Sequence, residues 1–171
     1  MTKRFLEEKM KVYIKNKIIS LTGSSQVLDE NKNPIYKVSG KFLSILHKKK
    51  IYDMENNLLY VVKNKFWKFI FPSVFVLTAD GEKICRLKRK INFTHNYIVE
   101  GYKDEISIDG SFWGLEMKIN RNNEQIGVLR RNITILADSF ELEGDEKDIP
   151  FLVALVIAID NLEDKKGRRL I

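Results

Sequence analysis

Cysteine, histidine and proline are scarce in this sequence of 171 residues, at one, two and three. The single cysteine, Cys85, rules out an intrachain disulfide framework and cysteine-rich zinc sites. His47 and His95 lie far apart and in no metal-binding spacing, so loop or strand-end positions account for them better than ligation does. No unbroken apolar segment follows the basic start: "MTKRFLEEKMK" mixes both signs of charge, where a secretory signal would need an apolar stretch. A P-loop, a dinucleotide fingerprint and a nucleophile elbow are all missing. The expectation is a cytoplasmic protein with no enzymatic role, no metal and no cofactor.

The composition, 44% hydrophobic and 31% charged, is that of a globular chain, and the length suits one domain over residues 1–171 with a polar lead-in at 1–9. Net charge is +7 and uneven: residues 1–100 hold 20 Lys/Arg against 9 Asp/Glu, and residues 101–171 hold 10 against 14. A basic half marks either an anionic partner or an ordinary solvated surface.

One apolar run, "IPFLVALVIAI" (149–159), lies between Asp148 and Asp160. As a helix it would span about 16 Å, whereas a bilayer core is about 30 Å thick. Asp148 suits an N-cap, Pro150 fits a first turn, and Lys165, Lys166 and Gly167 suit a C-terminus, giving a helix over 148–162 and a basic tail at 165–171. No face of this run is polar, and a helix apolar all round must be enclosed on every side.

The rest of the chain reads as short strands and turns. One unit recurs as "DENKNPIYKV" (29–38), "DMENNLLYVV" (53–62), "TADGEKICRL" (78–87) and "NRNNEQIGVL" (120–129), with turn centres at Lys32, Asn56, Gly81 and Asn123. Apolar Ile35, Leu59, Ile84 and Ile126 follow three positions on. Asn and Gly readily take the positive φ of tight hairpins. "VSGKFL" (38–43) and "IDGSFW" (108–113) pair a glycine with an aromatic two residues later, which points to a close backbone approach and to two related halves. The fold class that follows is mainly β with one buried helix: a closed or nearly closed antiparallel barrel threaded by the C-terminal helix.

The ordered segments "YKVSGKFLSI", "IYDMENNLLYVVKNK", "IDGSFWGLEMKI", "LADSFELEG" and "FLVALVIAIDNL" resemble the LURP-one-related proteins, which belong with the tubby C-terminal domain and the phospholipid scramblases. The resemblance spans roughly residues 10–164. It implies a twelve-strand antiparallel barrel around a central hydrophobic helix, and it implies no catalytic residues. Lys32, Asn56 and Asn123 stand where the family favours glycine, and Phe140 where it favours tyrosine. Tubby domains bind phosphoinositides through basic residues and scramblases are membrane-associated and calcium-linked, but neither set of functional residues maps onto this chain position by position.

Basic doublets are the feature with functional promise. "KNKII" (15–19), "KNKFW" (63–67), "KRKIN" (88–92) and "RRNIT" (130–134) follow strand-like segments. Lysines two apart project to one side of a strand, outward if the lumen is full. Lys15, Lys17, Lys63, Lys65, Arg86, Lys88, Arg89, Lys90, Arg130 and Arg131 are therefore the candidate residues for an anionic ligand. The competing reading is that such charges block strand-edge pairing and aid solubility. Phe66, Trp67, Phe69 and Phe71 beside them raise single-stranded nucleic acid, but no recognition motif accompanies them. "DMENN" (53–57) lacks the Gly and the terminal Glu of a calcium loop, and Cys85, between Ile84 and Leu87, reads as a buried thiol.

The expected function is a cytoplasmic binding module, peripheral at a membrane, that takes anionic phospholipid headgroups or phosphorylated ligands on its outer wall. Two alternatives stand beside it: a scramblase-like lipid-handling protein whose helix leaves the barrel, and a domain that meets another protein through a sheet edge.

Overall fold

The computed structural model describes residues 8–15, 24–40, 48–65, 72–89, 97–111, 114, 116–132 and 139–167. Twelve strands form in chain order: β1 (Lys9–Lys15), β2 (Ser24–Leu28), β3 (Pro34–Gly40), β4 (Lys49–Tyr52), β5 (Leu58–Asn64), β6 (Ser73–Thr78), β7 (Lys83–Arg89), β8 (Tyr97–Glu100), β9 (Ile106–Gly110), β10 (Glu116–Arg121), β11 (Glu124–Asn132) and β12 (Ser139–Asp145). A 3-10 turn (Glu146–Asp148) then leads into α1 (Ile149–Gly167). Every strand pairs antiparallel with its chain neighbours, and β12 closes on β1 from Lys9↔Asp145 to Lys15↔Ser139. The result is a closed barrel, as the repeats and the resemblance implied.

Alternation of side chains builds the wall. On β12, Phe140, Leu142 and Gly144 face the lumen while Glu141 and Glu143 lie on the outside. On β7, Cys85 and Leu87 are buried while Arg86 and Lys88 are only half-buried. The lumen is filled by α1: Ile149, Leu152, Val153, Leu155, Val156, Ile157 and Ile159 are completely buried. The helix runs past the expected end at residue 162: Asn161 and Glu163 are still buried, and Lys49 and Tyr97 of the strands meet Asp160 and Glu163.

The turn centres adopt the backbone that the repeats required. Lys32, Asn56 and Gly81 have φ of 66°, 67° and 90°. In the first two, the preceding Asp29 and Asp53 carboxylates accept hydrogen bonds from the Asn33 and Asn57 N–H at 2.8 Å. A register shift beside each of these three turns marks a bulge. The fourth turn differs: Asn122 and Asn123 are both at positive φ, 50° and 66°, which is the two-residue hairpin geometry.

Both Gly-x-aromatic glycines are sites of close approach. A Cβ at Gly110 (φ +115°) would stand 2.5 Å from the Glu116 carbonyl oxygen, and one at Gly40 would stand 3.0 Å from that of Lys48. Their strands, β3 and β9, lie on opposite sides of the barrel. A second pair, Gly127 and Gly144, face each other across β11 and β12 and seat Leu152 of α1 against bare backbone.

Up-and-down winding gives the barrel two unlike ends. The tight turns at 29–33, 53–57, 79–82 and 122–123 share one end with Asp148 and the start of α1, here called the turn end. The strand ends Lys15, Gly40, Asn64, Arg89, Gly110 and Asn132 lie at the other, the helix-exit end, which the C-terminal half of α1 approaches.

Two outcomes are expected. Gly144→Ala should lower stability by about 1–3 kcal/mol in urea unfolding, because its Cβ would meet Leu152 at 2.6 Å and the Ile126 carbonyl oxygen at 2.8 Å. Gly127→Ala meets only Leu152 methyls, at 3.0 and 3.1 Å, before ordinary contact distances, and should cost less. Burial pushes the Cys85 thiol from 9.0 up to about 12. The folded state therefore keeps this proton while the unfolded chain loses it, so stability is full below about pH 9 and falls as pH rises above it. In urea titrations from neutral pH upward, Cys85→Ala should flatten the first part of that decline.

Candidate anion-binding surface

The structure divides the ten candidate residues into four groups. Lys63 and Lys65, at the end of β5, and Arg86 and Lys88, on β7, project from one outer wall, with β6 between their strands. Register places Lys63, Phe75, Arg86 and Glu100 side by side across β5 to β8. Phe75 lies beneath two cations, with Lys83 Nζ 5.3 Å and Arg86 Cζ 5.9 Å from its ring centre. The Lys88 ammonium donates to Glu100 at 2.6 Å, and Arg86 approaches the same carboxylate at 3.9 Å. That hydrogen bond from Lys88 holds the Glu100 carboxyl below its ordinary range.

Arg89 and Arg131 correct the expectation of an all-outward stripe. Arg89 continues the inward row of Cys85 and Leu87, and its guanidinium stands 3.7 Å from the buried Glu163 carboxylate of α1. Arg131 continues the inward row of Gly127 and Leu129 and lies opposite Phe140. A doublet of adjacent cations on a strand must divide between its two faces.

Arg130 faces outward, but β11 is on the opposite side of the barrel from β5, so it does not join the Lys63 group. It donates to Glu116 at 3.2 Å and to Glu143 at 2.9 Å, with Glu141 at 3.7 Å. The hydrogen bond to Glu143 leads in raising its pKa further. Lys11 pairs with Glu141 at 3.4 Å, so the wall from β10 to β1 largely neutralises itself. Lys17, Lys90, Phe66, Trp67, Phe69, Phe71, His47 and His95 lie outside the described residues, as does the Lys15 side chain.

Two contributors were missed by sequence reasoning. Lys48 immediately precedes β4, and Lys50 faces outward from it, directly opposite Val61, two residues before Lys63 on β5. Lys48, Lys50, Lys63 and Lys65 form no ion pair with any described residue. The signal was present in "HKKK" (47–50), where the lysines at 48 and 50 have the same two-residue spacing as the doublets. Between them, Lys49 does the opposite: it is buried, and its ammonium donates to Asp160 of α1 at 2.6 Å.

Inside, polar contacts tie α1 to the wall near both ends. Arg121 donates to both Asp148 oxygens, at 3.1 and 2.8 Å, so the residue expected to cap the helix instead holds a guanidinium. Tyr102 stacks on Phe151 with ring centres 4.7 Å apart. Toward the helix-exit end, the Tyr97 hydroxyl donates to Glu163 at 2.8 Å, and burial, with Glu163 second, raises the phenol pKa well above its ordinary value. Among the described residues no group of His, Cys, Asp and Glu is arranged to hold a metal ion. Cys85, buried and protonated, is no nucleophile.

A closed antiparallel barrel with a helix in its lumen is the class this architecture defines. A model of the LURP-one-related family matches residues 10–160, and the chain belongs to that family. It is similar in fold to the X-ray structure of a protein from Arabidopsis thaliana, at 15% identity, a TM-score of 0.59, and coverage of 90% of this chain and 93% of that one. No curated protein matches the chain. Among the described residues no helix is long and apolar enough to cross a membrane.

Lys49→Met should destabilise the fold by about 3 kcal/mol, the low end for a broken buried pair, because Asp160 keeps some solvent contact. Lys49→Met with Asp160→Leu should recover most of that loss. Urea midpoints of the two single variants and the double variant measure the coupling.

Proposed function

We propose that this protein is a non-enzymatic binding module that takes anionic phosphate-bearing groups, lipid headgroups or phosphorylated small molecules, on the outer wall of β4 to β7. The observation that carries the reading is the set Lys48, Lys50, Lys63 and Lys65, cations on or just beside the neighbouring strands β4 and β5 with no acidic partner among the described residues. Elsewhere on the barrel, cations such as Arg130 and Lys11 are matched by carboxylates. A closed barrel has no edge strand to guard, so blocking of edge pairing does not account for these lysines.

Magnitude favours a peripheral, reversible contact. A lysine near an anionic membrane is worth about 1 kcal/mol, so four give about 4 kcal/mol, in the range of a millimolar dissociation constant. Such binding weakens as salt shortens the screening length. Departure of α1 into a bilayer has less support, since it would break the contacts of Asp148, Asp160 and Glu163 and empty the core.

Flotation with phosphatidylcholine vesicles, with and without phosphatidylserine, tests the reading at low and high salt. Binding should require the anionic lipid, fall with salt, and drop at least roughly tenfold in Lys63→Glu/Lys65→Glu. Lys118→Glu, on the charge-matched wall, should bind normally. Equal retention of the wall variant and the wild type would sink the assignment.

A further inference from the structure

The lysine-rich wall holds one anion of its own. Strands β4 to β8 contain a single acid, Glu100, the last residue of β8. Its carboxylate spans two cations of β7. One oxygen accepts a hydrogen bond from the Lys88 ammonium at 2.6 Å, and the other lies 3.9 Å from the Arg86 guanidinium. Register accounts for Arg86, which stands directly opposite Glu100, but not for Lys88, whose cross-strand neighbours are Ser73 and Ile98. Lys88 therefore leans along the wall to reach the carboxylate. The hydrogen bond it donates keeps Glu100 ionised at neutral pH.

Resting on the function proposed above, we infer that Arg86 and Lys88 form a phosphate subsite whose resident occupant is the Glu100 carboxylate, so that Glu100 sets the affinity of the wall for anions. Two cations share one carboxylate here, whereas on the opposite wall the single Arg130 has Glu116, Glu141 and Glu143 around it. A phosphate arriving at Arg86 and Lys88 has one competitor to displace and carries more negative charge than that competitor. Arg86 has donors to spare: its guanidinium lies over Phe75 at 5.9 Å and makes no hydrogen bond to a described residue. A guanidinium fork is shaped to take two oxygens of such an anion. The Glu100 side chain is 44% exposed, so its ion pairs are of the weak, screened kind that a ligand can exchange. Residues two apart on one strand face stand about 7 Å from each other, a gap that the carboxylate bridges and that the larger phosphate bridges as well. Lys63 stands across Phe75 from Arg86 with no ion pair to a described residue, so the subsite extends the group of free lysines.

Glu100→Gln removes the occupant and keeps the size of the side chain. Its binding is measured with two probes that separate a lipid headgroup from a soluble phosphate: phosphatidylcholine–phosphatidylserine vesicles by flotation, and inositol hexakisphosphate by calorimetry. Release of one exposed pair predicts binding about two- to fivefold tighter than wild type with whichever probe binds. Glu82→Gln, which makes the same change of charge in the turn between β6 and β7, should gain clearly less. Lys88→Met should weaken binding more in the Glu100→Gln background than in the wild type, because only there is the ammonium free of its carboxylate. Equal gains from Glu100→Gln and Glu82→Gln, or an equal effect of Lys88→Met in both backgrounds, would overturn the subsite while leaving the anionic wall standing. Failure of the wild type and Glu100→Gln alike, with both probes, overturns the function on which it rests.

Discussion

A helix with no polar side cannot face water anywhere along its apolar length, and the rest of the molecule is arranged around that constraint. Enclosing α1 demands a continuous wall, which the twelve strands supply by closing β12 onto β1. The wall must also fit the rod it surrounds. Gly127 and Gly144 provide the tightest seat, where the absence of two methyl groups lets Leu152 lie against the backbone of β11 and β12. Interiors pack too densely to absorb even one extra carbon there without displacement.

Apolar burial alone leaves a rod free to slide or rotate, since one aliphatic contact is much like another. The polar partners of α1 remove that freedom. Asp148 meets Arg121 at one end, and Asp160 meets Lys49 while Glu163 meets Tyr97 toward the other. A shift of one helical turn would carry these carboxylates away from their donors while keeping them inside the wall, and an uncompensated buried charge costs several kcal/mol. These pairs contribute more to the register of α1 than to its net stability.

A filled lumen leaves only the outer surface open to a partner. The barrel exterior falls into two regions of different character: a wall from β10 to β1 where carboxylates and cations interlock, and a wall from β4 to β7 where lysines outnumber the acids within reach. Lys88 and Arg86 share Glu100 and so carry less of the field than Lys63 and Lys65 do. Phe75, at the centre of the lysine-rich wall, lies under Lys83 and Arg86.

The sequence by itself determined the features that depend on local pattern. The apolar run from Ile149 to Ile159 announced an enclosed helix, and the recurring turns announced hairpins, with positive φ at Asn56, Gly81 and Asn123; that Lys32 takes it too came from the structure. Two-residue spacing grouped Lys63 with Lys65, of which Lys63 lies on the outer face of β5, and the same spacing in Lys48 and Lys50 could have added them. Which cations share a surface was decided only by closure of the barrel, because β5 and β11 lie next to very different stretches of chain yet end on opposite sides. Nor could Lys49 be told from its neighbours: its partner, Asp160, is 111 residues away, and only the enclosure of α1 brings the two together. Periodicity is a property of adjacent residues, whereas the pairing of charges depends on distances that the folded chain alone sets.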